Sequence, residues 1–263
     1  KTVQEIFCED KEIMEYMQKL AGVCLTGDVT DELIHIALGS GANGKTLFFE
    51  GIRNMLGNDY ARPCPHNFFS NRRNDPSPLE LHSIRGVRLS IASENDGEQG
   101  FQSDLIKKIT GGEMLSTRGL YQDYSTCMPT SKFVMLVNEL PRKRGCDGGL
   151  ARRLRVVEFR RNLGVDGNRN NDLKRVLCQS AEHRSAILNW CLDGLRKWWD
   201  GRLLEPPYTV IEDTRRYVND QNYIEKFLDD VCFRSSDERV RTDRMFSALT
   251  SYIKKYKLNI NIP

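Results

Sequence analysis

Apolar positions along the chain follow two spacings, and each spacing predicts a different element. In residues 1–24 they recur at a helical period with acidic residues between them, which predicts an amphipathic helix or a pair of helices. In residues 32–38, ELIHIAL, they form a short continuous run that ends at a glycine, which predicts a buried strand.

The same two patterns alternate over the following residues. Buried strands are predicted at 87–93, 132–138 and 154–159, and helices at 45–56 and 101–110. Because strands alternate with helices, the sequence predicts an α/β fold around a central, mostly parallel sheet.

Turn-forming residues and a second helical stretch make up the remainder. Residues 61–78 contain four prolines and the run NRRNDPSP, which predicts a loop. Residues 113–130 hold β-compatible positions around Gly119 and predict a hairpin. Beyond residue 170 the pattern is helical, and EPP at 205–207 interrupts it.

Composition narrows the class of protein only slightly. The net charge of +3 over 263 residues is compatible with a nucleic-acid partner without requiring one. No apolar run approaches the roughly 20 residues of a bilayer-spanning helix, so no membrane partner is expected.

The eight cysteines form no Cys-x-x-Cys pair, which predicts reduced thiols in a cytoplasmic protein. Since the chain begins with Lys1 rather than Met, we expect a fragment of a longer protein.

The segment GSGANGKT lies between the first predicted strand and its helix, and it fits the spacing G-x-x-x-x-G-K-[ST]. Such a turn directs successive amide N–H groups at phosphate oxygens, and the helix adds the positive end of its dipole. Lys45 would reach the β- and γ-phosphates of a nucleotide, and Thr46 would ligate Mg²⁺. The predicted nucleotide-binding residues are Gly39, Ser40, Gly41, Ala42, Asn43, Gly44, Lys45 and Thr46.

Two polar residues follow later strands, as an ATPase requires. Glu94 comes directly after the strand at 87–93, which we expect beside the strand of the phosphate loop, and would hold Mg²⁺ and polarise the attacking water. Ser93 precedes it where an acidic residue is usual, so an indirect metal contact is the alternative. Asn138 ends the strand at 132–138 and would orient the water; a turn-initiating Asn is the alternative.

Two arginines, Arg152 and Arg153, stand just before the strand at 154–159. An arginine supplied by a neighbouring subunit can stabilise the charge that develops on a transferring phosphoryl group. A solvated basic turn is the alternative interpretation.

Taken in order, these motifs resemble superfamily 3 helicases, in particular the primase-associated helicases of phages, plasmids and large DNA viruses. The resemblance covers residues 20–160 and extends weakly over 170–260. It is carried by GVCLTGD, GSGANGKT, SEND, LIKKITGGEMLSTRGLYQDY, PTSKFVMLVNELP and ARRLRVVEF.

The resemblance implies an AAA+ P-loop ATPase core over residues 31–165. A helical segment at 1–30 would precede the core. A helical lid at 166–204 and a truncated, winged-helix-like helical region at 205–263 would follow it.

The resemblance also implies a role for each candidate residue. Residues 39–46 would form Walker A and bind ATP, Glu94 would be the Walker B acid and an Mg²⁺ ligand, and Asn138 would be sensor 1. Arg153 would be the arginine finger, with Arg152 as the alternative.

The implied activity is that of an ATP-dependent 3′-to-5′ DNA helicase that acts in the replication of a phage, plasmid or virus. It would assemble as a hexameric ring on single-stranded DNA, with RNA as the alternative, and hydrolyse ATP between subunits. A primase domain would lie on the same full-length chain, in a bacterial host cytoplasm or a viral replication compartment.

The segment KKITGGEMLSTRGLYQDY matches the channel hairpin of this family, although its tip lacks the lysine-histidine pair of some viral relatives. Arg118 and Tyr121 would supply a cation and a stacking ring for a single strand, with Lys107 and Lys108 nearby on the helix. A solvated helix face for the lysines, and packing against the hairpin base for Tyr121, are the alternatives.

Two other functional classes share the phosphate loop. A small-molecule kinase would need an acceptor pocket and a lid within one chain. A non-translocating AAA+ loader or scaffold would be compatible with the missing acidic residue before Glu94.

Overall fold

The computed structural model of the chain describes residues 2–70, 75–93, 100–141, 148–162, 180–221, 223–233, 235 and 238–256. Within them, five parallel strands form a central sheet, and two further strands form an antiparallel hairpin. The sheet strands are β1 (Ile34–Leu38), β2 (Ala61–Pro63), β3 (Leu89–Ser93), β6 (Lys132–Val137) and β7 (Leu154–Glu158), and the hairpin strands are β4 (Leu115–Arg118) and β5 (Tyr124–Cys127).

Helices pack on both faces of this sheet. The helices of the described residues are α1 (Thr2–Ile6), α2 (Lys11–Val23), α3 (Lys45–Leu56), α4 (Pro78–His82), α5 (Ser103–Thr110), α6 (Gly148–Ala151), α7 (Ala181–Trp199), α8 (Tyr208–Gln221), α9 (Tyr223–Val231) and α10 (Thr242–Lys255). Of these, α2, α3 and α7 pack on one face of the sheet, and α5 and α6 pack on the other. None of these helices combines the length and the apolarity that crossing a membrane demands.

The strand order across the sheet is β2-β3-β6-β1-β7. The expectation that the strand before Glu94 lies beside β1 is therefore wrong, because β6 lies between β3 and β1. All neighbours are parallel, so the carboxyl ends of β1, β3 and β6 meet at one edge of the sheet. The predicted α/β fold with a mostly parallel sheet is confirmed.

Alternate residues of the central strands enter two separate cores. Ile36 and Met135 pack on one face with Ile106 of α5, whereas Ala37 and Val134 pack on the other face. A sheet covered on both faces has no polar alternation, which is why its strands are continuous apolar runs in the sequence.

Two helices from the second half of the chain pack directly on this core. α7 crosses α2 so closely that a Cβ on Gly22 would lie 2.2 Å from the backbone nitrogen of Leu195. α8 packs along β7, where the Thr214 hydroxyl accepts a hydrogen bond of 2.9 Å from the amide of Val156.

The segment predicted as a loop at 61–78 contains one short strand. β2 lies at the sheet edge and ends in Pro63, whose missing N–H is tolerated there. At the end of the same segment, the Ser77 side chain accepts from the Glu80 amide and caps α4.

Candidate functional site

The phosphate loop, residues 39–46, connects the carboxyl end of β1 to the amino end of α3. Its backbone has φ values of 105° at Gly41, 48° at Ala42 and 86° at Gly44, all in the left-handed region. A Cβ on Gly44 would also lie 2.6 Å from Cγ1 of Ile6. Both the conformation and this close approach require glycine at residue 44.

Lys45, the first residue of α3, is buried beneath the loop. Its ammonium donates to the carbonyl oxygen of Gly39 and, at 2.7 Å, to Oδ1 of Asn138. Both acceptors are neutral, and burial lowers the pKa of Lys45 from its ordinary value. The structure thus brings together the predicted phosphate ligand and the predicted water-orienting amide.

A cavity of about 240 Å³ opens beside these two residues. Its lining comes from α3 and from the carboxyl ends of three strands. The lining residues are Lys45, Thr46, Glu50, Arg53, Pro63, Ile91, Ser93, Leu136 and Asn138. Crevices at the carboxyl ends of parallel strands are where open α/β sheets bind their ligands.

Glu94 and Asn43 are two further predicted residues. Glu94 lies outside the described residues, and Ser93, which precedes it, lines the cavity. Asn43 is buried in the phosphate loop, and its Nδ2 has no hydrogen-bond partner among the described residues. An unsatisfied buried donor in a phosphate loop is suited to an anionic ligand.

The sequence reasoning missed Glu50 and Arg53, which also line the cavity. The Arg53 guanidinium donates to both carboxylate oxygens of Glu50, at 2.7–3.1 Å. Thr46, Glu50 and Arg53 are spaced i, i+4 and i+7, so they share one face of α3. That helical spacing from Thr46 was the signal that could have identified them.

Adjacent Arg152 and Arg153 have opposite environments. Arg153 is buried and donates to Glu32 at 2.6 Å, to the Gly149 carbonyl at 2.9 Å and to the Thr110 hydroxyl at 3.1 Å. The Arg152 side chain is 68% exposed and lies 3.7 Å from the Glu32 carboxylate. This geometry favours Arg152, the alternative in the sequence prediction, as the arginine that another subunit could meet.

The two arginines and the phosphate loop lie at opposite ends of two neighbouring parallel strands. β1 and β7 pair from Ile34–Leu154 to Leu38–Glu158, so Arg153 precedes the amino end while the loop follows the carboxyl end. Four residue steps of about 3.3 Å, or roughly 13 Å of strand, separate the two ends.

The predicted hairpin exposes an apolar tip. Tyr121 has a φ of 58° and is 97% exposed, and Leu120 beside it is 66% exposed. Arg118 donates to the Gln122 carbonyl at 2.9 Å, and its guanidinium carbon lies 5.2 Å from the Tyr124 ring centre. Tyr121 does not pack against the hairpin base, so its ring is accessible.

The two predicted lysines lie on α5, which precedes the hairpin. Lys107 is half-buried, with its ammonium 3.8 Å from a carboxylate oxygen of Asp104, and Lys108 is exposed. α5 therefore presents one solvent-facing cation near the hairpin and one that faces a carboxylate.

The fold of this chain is the one predicted from its sequence. The parallel sheet, the phosphate loop after β1 and the polar residue after β6 have the arrangement expected of an AAA+ P-loop core. The solved C-terminal region of NrS-1 in its apo form has the same fold, with a TM-score of 0.64 at 11% identity over 88% of this chain and 56% of that chain.

Sequence comparison specifies the resemblance further. The chain is 32% identical over 152 residues to "Putative helicase L207/L206" of Acanthamoeba polyphaga mimivirus, covering 57% of this chain and 16% of that protein. It is 22% identical over 263 residues to "Putative helicase 022R" of Frog virus 3 (isolate Goorha), covering 92% of this chain and 26% of that protein. No protein-family model matches the chain. The predicted resemblance to superfamily 3 helicases of large DNA viruses is confirmed, and the chain spans about a quarter or less of these relatives.

Proposed function

We propose that the chain is the motor of a superfamily 3 helicase, which hydrolyses ATP to move 3′ to 5′ along single-stranded DNA in viral replication. Its similarity to helicases of large DNA viruses supports the class of activity. Because it spans a small part of those relatives, we infer that a primase domain lies elsewhere on the full-length chain.

The cavity beside the phosphate loop fits the phosphates of ATP with Mg²⁺. Within the part of the chain that the structure describes, Lys45 donates to two neutral oxygens, and the Nδ2 donor of Asn43 has no partner. Thr46 would ligate Mg²⁺, with Glu94 as the acid that follows β3. Bound Mg²⁺ would neutralise charge on the β- and γ-phosphate oxygens.

Lys45, Asn138 and Arg152 have separate tasks in the proposed reaction. Lys45 would hold the γ-phosphate and counter its charge, and Asn138 would orient the attacking water. Arg152 would stabilise the charge that develops on the phosphoryl group. The observation that carries the proposal is that Arg152 precedes the amino end of β7, whereas Lys45 follows the carboxyl end of the neighbouring strand β1. At that distance Arg152 could act only on the nucleotide of a neighbouring subunit.

A closed ring follows from such a head-to-tail contact, in which each subunit donates Arg152 to the next. We expect the closed ring to contain six subunits. The hairpin would then face the central channel of the ring. Tyr121 would stack on bases, and Arg118 and Lys108 would lie near the phosphates of the DNA strand. Lys107 would contribute less, since it faces Asp104.

The geometry is less suited to the alternatives. A small-molecule kinase would not need the hairpin, whose Tyr121 ring is exposed. A loader or scaffold without turnover would not require the contact between Lys45 and Asn138.

Mixed rings test the shared site. Lys45→Ala and Arg152→Ala proteins should each lack ATP hydrolysis, whereas a mixture should regain part of it. In mixed rings, some interfaces pair an intact Lys45 with an intact Arg152. Arg196→Ala, an exposed arginine on α7, is the matched control and should hydrolyse ATP at the wild-type rate. Mixtures that stay inactive under conditions where rings are seen by mass measurement would rule out the shared site.

Translocation needs a second assay. Single-stranded DNA should stimulate ATP hydrolysis, and a duplex with a 3′ single-stranded tail should be unwound in preference to one with a 5′ tail. Hydrolysis that ignores DNA and depends on a small acceptor would instead favour the kinase.

A further inference from the structure

Arg153 joins three segments that are far apart in the chain. Its Nε donates to the Thr110 hydroxyl, one terminal nitrogen donates to the Gly149 carbonyl, and the other donates to the Glu32 carboxylate. Arg153 and Thr110 are both buried. A guanidinium can serve three partners at once because its donors form a rigid, planar fork.

One of these partners lies at the base of the hairpin. Thr110 is the last residue of α5, and only four residues separate it from β4. Within that connection, a Cβ built on Gly111 lies 3.6 Å from a terminal nitrogen of Arg153. Leu115, which starts β4, is fully buried. A displacement of the Arg153 guanidinium would therefore act directly on the segment that anchors the hairpin.

The other contacts of Arg153 connect to the ATP site. Its backbone carbonyl accepts a hydrogen bond of 2.9 Å from Ile34, the first residue of β1, whose strand leads into the phosphate loop. Arg152 precedes it directly, and both arginines face one Glu32 carboxylate. Glu32 itself has a φ of 53°, a left-handed conformation that a residue other than glycine adopts at some cost.

We propose that Arg153 is a positioning residue that couples Arg152, at the subunit interface, to the hairpin that binds the nucleic acid. The inference rests on the proposed function, since it assigns Arg152 to the neighbour's nucleotide and the hairpin to the strand. When Arg152 engages a phosphate, its interaction with Glu32 weakens. The interaction of Arg153 with that carboxylate then becomes stronger, which displaces the guanidinium. The hydrogen bond between Arg153 and Thr110 transmits this displacement to the hairpin.

Thr110 allows the coupling to be tested without altering the residues that bind ATP or DNA. Thr110→Val removes the hydroxyl that accepts from Arg153 and nearly keeps the side-chain volume, whereas Thr110→Ser keeps the hydroxyl. The measurement is the ratio of ATP hydrolysis with single-stranded DNA to hydrolysis without it. Ser103→Ala is the control, because it removes a buried hydroxyl at the other end of α5 for which the described residues offer no partner.

We expect Thr110→Val to keep basal hydrolysis and DNA affinity while the stimulation ratio falls about fivefold or more, the range of a typical coupling between two sites. Thr110→Ser and Ser103→Ala should retain the wild-type ratio. A role in folding alone would lower basal hydrolysis and stimulated hydrolysis together.

Each other outcome decides against the coupling. A wild-type ratio in Thr110→Val, or an equal loss in Thr110→Ser, would overturn this inference and leave the proposed function standing. A wild-type protein that DNA does not stimulate would overturn both. Should Thr110→Val not fold, Arg153→Lys replaces it, because lysine can neutralise Glu32 but cannot reach all three partners. An unchanged ratio in Arg153→Lys would also overturn the inference.

Discussion

The ammonium of Lys45 donates a hydrogen bond of 2.7 Å to Oδ1 of Asn138, a residue 93 positions away along the chain. The pair joins the amino end of α3 to the carboxyl end of β6. Phosphate oxygens are stronger acceptors for an ammonium than a neutral amide oxygen. Nucleotide binding is therefore expected to draw Lys45 toward the phosphates and leave the Asn138 amide to orient a water molecule.

Replacement of Asn138 should separate nucleotide binding from hydrolysis. Asn138→Ala should lower kcat about 100-fold or more, the loss seen when one positioned polar group is removed from a reacting centre. Nucleotide affinity should stay within a few-fold of wild type, because Lys45 and the loop amides remain. Asn58→Ala, an exposed asparagine after α3, is the control. Equal losses in affinity and kcat would mean that Asn138 only holds Lys45 in place.

The two adjacent arginines should differ in their effect on stability. Arg153→Ala leaves the Glu32 carboxylate and the Gly149 carbonyl without their donor, so we expect the free energy of unfolding to fall by about 2 kcal/mol or more. Arg152→Ala removes an exposed side chain and should change it by less than about 0.5 kcal/mol. Urea unfolding of both variants beside wild type measures the difference. Equal losses would contradict the assignment of structural and interfacial roles.

Most of the central sheet could be predicted from the sequence, because strands covered on both faces are continuous apolar runs. β6 is buried at all six positions and is recognisable as KFVMLV. The edge strand β2 exposes Arg62 and Pro63, so it has no apolar run and the sequence predicts a loop there. A short edge strand forms because it pairs with a neighbouring strand, and the local sequence pattern does not show that pairing.

Relationships between distant segments could not be predicted from spacing. The insertion of β6 between β1 and β3 depends on pairing across the chain, which local pattern does not encode. Likewise, neighbouring Arg152 and Arg153 look equivalent in sequence. They differ because the partners of Arg153 lie 43 and 121 positions away, at Thr110 and Glu32.

The exposed ring at the hairpin tip should contribute to binding a single strand. Tyr121→Ala should weaken the affinity for single-stranded DNA by about 1–3 kcal/mol, the range for one stacked base, whereas Tyr121→Phe should keep it. Tyr208→Ala, an exposed tyrosine that starts α8, should bind as wild type does. Fluorescence anisotropy with a labelled strand gives the affinities.

An abasic strand identifies the nature of this contact. Because stacking needs a base, wild type and Tyr121→Ala should bind a fully abasic strand of the same length equally. If Tyr121→Ala weakens binding to both strands by the same factor, the ring supports the hairpin and does not stack on bases.

His35, in the centre of β1, is buried against the hydroxyl of Tyr16, whose oxygen lies 2.8 Å from Nε2. Burial, together with the smaller effect of the positive charge of Arg155, lowers the pKa of His35 to about 3. The folded chain therefore keeps this imidazole neutral at pH values where the unfolded chain protonates it.

This neutral histidine should make the fold sensitive to mild acid. Between pH 6.5 and about 3 the unfolded chain binds a proton at His35 that the folded chain does not, so stability is complete above pH 6.5 and falls as the pH drops. From pH 7 to pH 5 the loss should be about 2 kcal/mol. His35→Gln keeps a group that can bind the Tyr16 hydroxyl but does not titrate, and urea unfolding should show it losing about 2 kcal/mol less over the same interval. An equal loss in both proteins would mean that other groups cause the acid sensitivity.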